Sequence, residues 1–215
     1  MSFKIADIYN YRQLWWLDKL LIGHRGYIAG GCFKNIFNNE RVKDVDIFFE
    51  NKADCLEAIS YYKKEMQKHP NDWQFVYENE KVWSVYSNKE KVRLELIKSV
   101  FGKPKQVISN FDFTITKFAY YKNYDNVDEE NYMAVFEVML HKDFFEHLHT
   151  KRLVVDDEMI YPVSTFNRVL RYAKYGYQPC RETKIKIVTN LAMLDQKNQN
   201  DFEKELGKSL YEGLD

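Results

Sequence analysis

Apolar residues recur along the chain with two periods, and the switches between those periods outline an α+β arrangement. In residues 8–22, Leu14, Leu17 and Leu21 fall on one helical face, so this stretch is expected to be an amphipathic helix lying on a sheet. The short run Tyr27-Ile28-Ala29 ends at Gly30-Gly31, after which Phe33, Ile36 and Phe37 return to helical spacing until Asn38-Asn39. Residues 45–49 form a compact apolar strand bounded by Asp44 and Glu50. Asn51 is placed to cap a helix over residues 53–67 with Leu56, Ile59, Tyr62 and Met66 as its apolar face, and His69-Pro70-Asn71 stops it. Residues 73–77, 82–86 and 91–97 read as successive strands, the last alternating Val92, Leu94 and Leu96 against Arg93 and Glu95. A short helix over 104–109, opened by Pro104, precedes another strand over 113–121. Helices interleaved with strands, followed by several antiparallel strands, predict an α+β fold with helices on one face of a mixed sheet.

Between residues 121 and 132 the composition turns polar, as expected for a surface loop or hairpin and a soft boundary. Helical patterns follow over 142–150, 163–175 and 184–196, and the charged tail after Asn198 is expected to form a final helix. The organisation predicted is therefore a head over 1–125 and a mostly helical region over 126–215.

Composition narrows the function classes. Lys plus Arg and Asp plus Glu both number 32. A neutral chain lacks the basic excess that phosphate neutralisation requires of proteins gripping long nucleic acids. Cys32, Cys55 and Cys180 are odd in number and have no CxxC spacing, which points to reduced thiols in a cytoplasmic protein rather than a disulfide frame or zinc site. No apolar run is long enough to span a membrane and no signal-peptide pattern opens the chain, so a soluble protein without membrane attachment is expected.

The candidate chemistry lies in residues 30–49. Two carboxylates separated by one strand residue face the same way, because side chains alternate with period two. Asp44 and Asp46 meet that condition, with Val45 turned to the core, and such a pair can hold Mg²⁺ or Mn²⁺ against phosphate oxygens. Gly30-Gly31 follows a strand and opens a helix, a place where backbone can approach a triphosphate, and Lys34 lies one turn further on. A lone D-x-D or a lone Gly-Gly is common by chance; their ordered combination in one small unit is more specific.

Gly30-Gly31-Cys32-Phe33-Lys34-Asn35 through Asp44-Val45-Asp46 resembles, without a gap, the first signature of class II CCA-adding enzymes and bacterial poly(A) polymerases, GGxVRDxLLGxxxxDhDh, where h is apolar. These belong to the DNA polymerase beta-like nucleotidyltransferase superfamily. Asp112-Phe113-Thr114-Ile115-Thr116 through Tyr120 resembles the same enzymes' RRDFTINALAY block, and residues 166–177 resemble their neck helix. The resemblance implies a head domain with a neck-like C-terminal region, NTP as donor and a third carboxylate, either Glu95 or Asp112, with Asp44, Asp46 and Glu95 as the metal set. Gly30, Gly31 and Lys34 are the expected triphosphate-binding residues. Arg168 and Arg171, which share a helix face with Lys174, are further phosphate-binding candidates.

The departures bear on activity. Lys34 replaces an Arg, Asn35 an Asp, Asn110-Phe111 the twin arginines and Thr116 an Asn. No base-reading template is evident and the region that would hold tRNA is not expected, so CCA addition itself is not predicted. The leading expectation is transfer of an NMP from an NTP to an acceptor hydroxyl, on an RNA 3′ end or a protein side chain. The alternative is a catalytically weak or inactive module that binds a nucleotide or partner protein, as in an accessory factor of a virus or mobile element.

Overall fold

The computed structural model describes residues 3–128, 133–156 and 158–193. Contacts divide the chain into two units: Ser2–Phe111 with Thr116–Lys142, and Asp112–Ile115 with the chain from Asp143 onward.

The first unit is an eight-stranded mixed sheet. Its strands are β1 (Phe3–Asp7), β2 (Tyr27–Ala29), β3 (Asp44–Phe49), β4 (Trp73–Glu78), β5 (Val82–Ser87), β6 (Val92–Phe101), β7 (Phe118–Asp128) and β8 (Met133–His141). They lie in the order β1-β8-β7-β2-β3-β6-β5-β4. All neighbours pair antiparallel except β3 and β6, which run parallel. A parallel pair needs a long crossover, and here α2 (Lys52–Lys68) with β4 and β5 supplies it.

One sheet face carries Ile28, Val45, Ile47, Val85, Leu94 and Leu96, all completely buried. Against it lie Leu14, Leu17, Leu20 and Leu21 and the α2 residues Cys55, Ala58, Ile59 and Tyr62. Burying each of these large apolar side chains contributes about 1.5–3 kcal/mol. The opposite face alternates with it. At one end Tyr27, Ala29, Phe48, Ala119 and Met139 cluster with Val107 and Ile108 of α3 (Pro104–Ser109). At the other end the same face presents Asp44, Asp46, Arg93 and Glu95.

Several expectations are corrected. Residues 12–21 form a 3-10 helix rather than an α-helix. Leu14, Leu17 and Leu20 are spaced by three, and at three residues per turn they line up on one side. The buried face of α2 is rotated from the expected one, leaving Leu56 52% exposed. Residues 114–116 are a 3-10 turn and the strand expected from 113 starts at Phe118. Of the polar stretch over 121–132, expected as a surface loop or hairpin, residues 121–128 lie in β7, which pairs antiparallel with β8, and residues 129–132 lie outside the described residues. Neither β1 nor β8 is among the expected strands, although residues 133–140 are apolar except for Glu137.

In the second unit, α4 (Phe144–His149), α5 (Pro162–Ala173) and α6 (Arg181–Ala192) surround a two-stranded parallel ladder of β9 (Arg152–Leu153) and β10 (Gln178–Pro179). Its core holds Phe113, packed edge-on to Tyr172 with ring centroids 5.7 Å apart. Buried polar groups are satisfied locally: Thr114 Oγ1 lies 2.8 Å from His147 Nδ1, and Thr183 Oγ1 accepts from the Val155 amide at 3.0 Å. The expected helix over 184–196 ends at Ala192 with Met193 as its C-cap; residues 194–196 and the charged tail after Asn198 lie outside the described residues. Among the described residues, no helix is long and apolar enough to cross a membrane.

Candidate functional site

The Gly30-Gly31 turn, which opens α1 (Cys32–Phe37), sets one wall of the site. Gly30 has φ +101°, a conformation that L side chains rarely adopt, whereas Gly31 has an ordinary φ of −71°. A Cβ on Gly30 would stand 3.7 Å from Asp46 Oδ2 and 3.6 Å from the Phe111 ring. The turn thus brings bare backbone beside the carboxylate of the adjacent strand. Strand pairing explains why: Ile28 pairs with Ile47 of β3, so the residues just past β2 reach the level of Asp46.

Asp44 and Asp46 occupy alternate positions of β3 and share a face. The parallel register sets Asp44 beside Arg93 and Asp46 beside Glu95. Arg93 Nε lies 2.8 Å from Asp44 Oδ1 and 3.1 Å from Glu95 Oε1. Tyr77 donates its hydroxyl to Glu95 Oε1 at 3.0 Å. Burial, and then the Glu95 carboxylate, push the Tyr77 phenol up to about 12, so it remains a donor at neutral pH. Partial burial opposes the charge on Arg93, but Asp44 and Glu95 more than offset it and raise the guanidinium above its ordinary value. The acidic end is therefore an alternating array: carboxylate, guanidinium, carboxylate, phenol.

Lys34 is buried and its ammonium donates to Glu40 Oε2 at 2.7 Å. Cys32 is buried next to the site; desolvation, with the Asp46 charge adding to it, raises its thiol well above the usual range, which disfavours the nucleophilic thiolate. In the second unit, Arg168 on α5 donates to the nearly buried Asp112 carboxylate. Arg171 follows one turn later on the same helix. Asp44, Asp46, Glu95, Gly30 and Gly31 thus belong to the first unit, and Asp112, Arg168 and Arg171 to the second.

Asp44 and Asp46, on one face of β3 with the Gly30 backbone against Asp46, are the residues that could hold a divalent cation. Among the described residues no three His, Cys, Asp or Glu side chains converge as a metal-ligand group. Sequence reasoning missed Arg93. Its alternation with Leu94 put it on the acidic face, but its contact with Asp44 depends on a strand register that the sequence does not display.

Solved structures define the class of this fold. It is similar to a CCA-adding enzyme in complex with CTP, with a TM-score of 0.61 and 14% identity over 98% of this chain and 50% of that one. A Thermotoga maritima CCA-adding enzyme complexed with tRNA gives a TM-score of 0.59 at 15% identity, again covering 98% of this chain and 50% of that one. A tRNA nucleotidyltransferase complexed with a primer tRNA and an ATP analogue gives 0.52 at 22% identity, covering 85% and 51%. The first unit thus has the mixed-sheet head fold of the CCA-adding nucleotidyltransferases. The family is narrower still. Residues 7–151 match the Gad2 family model, Gabija anti-defense 2, and the chain belongs to that family. It is 24% identical over 192 residues to Gabija anti-defense 2 of Bacillus phage SPbetaL7, covering 89% of this chain. The chain spans 43% of that relative's length and about half that of the solved structures.

Proposed function

We propose that the chain transfers a nucleoside monophosphate from an NTP to an acceptor hydroxyl, on an RNA 3′ end or a protein side chain. In this reading, the transfer counters the Gabija defence after which its family is named. What carries the reading is the placement of Asp44 and Asp46 on one sheet face with the bare Gly30 backbone beside Asp46. A cation such as Mg²⁺ or Mn²⁺ bound there would neutralise triphosphate charge and lower the pKa of the acceptor hydroxyl.

Asp44 and Asp46 would hold that cation, and Glu95, level with Asp46, would complete the acidic side. Gly30 and Gly31 would let phosphate oxygens approach the backbone amides. Lys34 would add charge by exchanging Glu40 for the anion. Within the second unit, Arg168 and Arg171 would be phosphate-binding candidates in their own right, Arg168 being paired with Asp112 there.

The test combines the protein with each α-labelled NTP, Mg²⁺ or Mn²⁺, RNA, and the Gabija proteins as acceptors. Label is expected on one acceptor, with at least a hundredfold loss in Asp44→Asn combined with Asp46→Asn, as befits loss of interactions made to the reacting phosphates, on the order of 10²–10³ in rate. The Arg93 bridge and the replacement of twin arginines by Asn110-Phe111 favour a second reading, a binding module without turnover. Protection of phage from Gabija that is undiminished in the double Asn variant would select that second reading.

A further inference from the structure

Arg93 stands where a cation would stand. Its guanidinium lies within 3.1 Å of both Asp44 and Glu95, on the face that also carries Asp46. Asp44 cannot give the same oxygen fully to this guanidinium and to a divalent cation, since the two positive charges would repel at close range. The side chains of Arg93 and Asp44 are 37% and 43% exposed, whereas Nε itself is buried and, although close to both carboxylates, makes no hydrogen bond of good geometry. An ion pair that lacks that hydrogen bond, between side chains this exposed, is weak and readily exchanged.

Arg93 and Asp44 also line a common cleft, which supplies somewhere for the guanidinium to go. A cleft of about 610 Å³ is lined by Arg41, Lys43, Lys91 and Arg93, with Asp44 the one carboxylate among its lining residues. Phe75 and Tyr86 border the same cleft, and Phe75 is 48% exposed. A guanidinium released from Asp44 would therefore remain in a cationic cleft suited to phosphate groups.

We propose that Arg93 is an exchangeable counter-ion of the acidic site: it holds Asp44 and Glu95 until a divalent cation displaces it, and then turns to phosphate in the cleft. The inference rests on the metal-site reading above. It makes Arg93 a positioning residue. Cation binding and the freeing of a phosphate-binding guanidinium become one linked event, so each strengthens the other.

The test measures Mn²⁺ binding by calorimetry and electron paramagnetic resonance in the wild type, Arg93→Met, Arg93→Lys and Lys43→Met. If the bridged state dominates so that about a tenth of molecules have Asp44 open, removing the bridge tightens Mn²⁺ binding about tenfold. Arg93→Met is expected to show that gain and Arg93→Lys a smaller one. Lys43→Met, which removes a neighbouring positive charge without touching the bridge, is expected to leave the affinity within about twofold, as screening dictates. In wild-type protein, the Nε–H resonance of Arg93 is expected to move on addition of Mg²⁺, a readout independent of any variant's folding.

Equal gains in Arg93→Met and Lys43→Met would overturn the exchange in favour of bulk charge. So would an unmoved Arg93 resonance while Mg²⁺ binds. If Asp44→Asn with Asp46→Asn abolishes Mn²⁺ binding while Arg93→Met leaves it unchanged, the exchange fails and the metal site stands. If neither wild type nor Arg93→Met binds Mn²⁺, the metal site and the exchange both fail.

Discussion

The imidazole of His24 accepts from the Gly26 amide at Nδ1 (3.0 Å) and lies 3.1 Å from the Leu20 carbonyl at Nε2. These contacts suit the neutral tautomer with its proton on Nε2, and burial lowers the pKa to about 4. Because the folded value lies below the unfolded one, the unfolded chain binds more protons between about pH 6.5 and 4, and stability falls as pH drops through that window. The loss is on the order of 2–3 kcal/mol at the acid end. Urea denaturation from pH 7 to 4.5 should show it, with His24→Gln flattening the slope. The two glycines of the turn separate in the same way. Gly30→Ala is expected to cost about 1–2 kcal/mol because of its positive φ, while Gly31→Ala should be near neutral, both read from denaturation midpoints. At this scale the sequence was informative about residue type and face, since period two alone aligned Asp44 with Asp46. It was silent on partners: Lys34 meets Glu40, and Arg93 meets Asp44, through local turns and register.

Among the elements, those with a local signal were legible and those depending on distant pairing were not. Asn51 was recognisable as the cap of α2, and its side chain accepts from the Asp54 amide at 3.0 Å. Asn51→Ala is accordingly expected to cost about 1 kcal/mol, measurable as a shift in the thermal midpoint. By contrast β1 exists because β8 offers it an edge, with Phe3 opposite His141 and Asp7 opposite Glu137. Nothing in residues 3–7 alone announces that pairing. The 3-10 geometry of residues 12–21 was legible in principle, in the three-residue spacing of Leu14, Leu17 and Leu20, but that spacing also satisfies an α-helical face.

At the scale of the whole molecule, the chain leaves the sheet unit at Asp112, returns at Thr116 and leaves it again at Asp143. The second unit therefore contains a four-residue piece, Asp112–Ile115, drawn from between α3 and β7. Phe113 and Ile115 are completely buried, so a head truncated after Lys142 would expose both and leave Asp112 without Arg168. Such a truncation is expected to be less stable and less soluble than the full chain, as sedimentation and thermal unfolding would report.

Phe111 packs on Phe48, with ring centroids 5.8 Å apart, and lies against Gly30, where the related signature places a guanidinium. An aromatic ring there lowers the local dielectric around Asp46 and gives nothing to an anion. The consequence is an order of addition. Nucleotide is expected to enter as its cation complex, so that chelation with EDTA abolishes NTP binding rather than weakening it, a result equilibrium dialysis with labelled NTP would show directly.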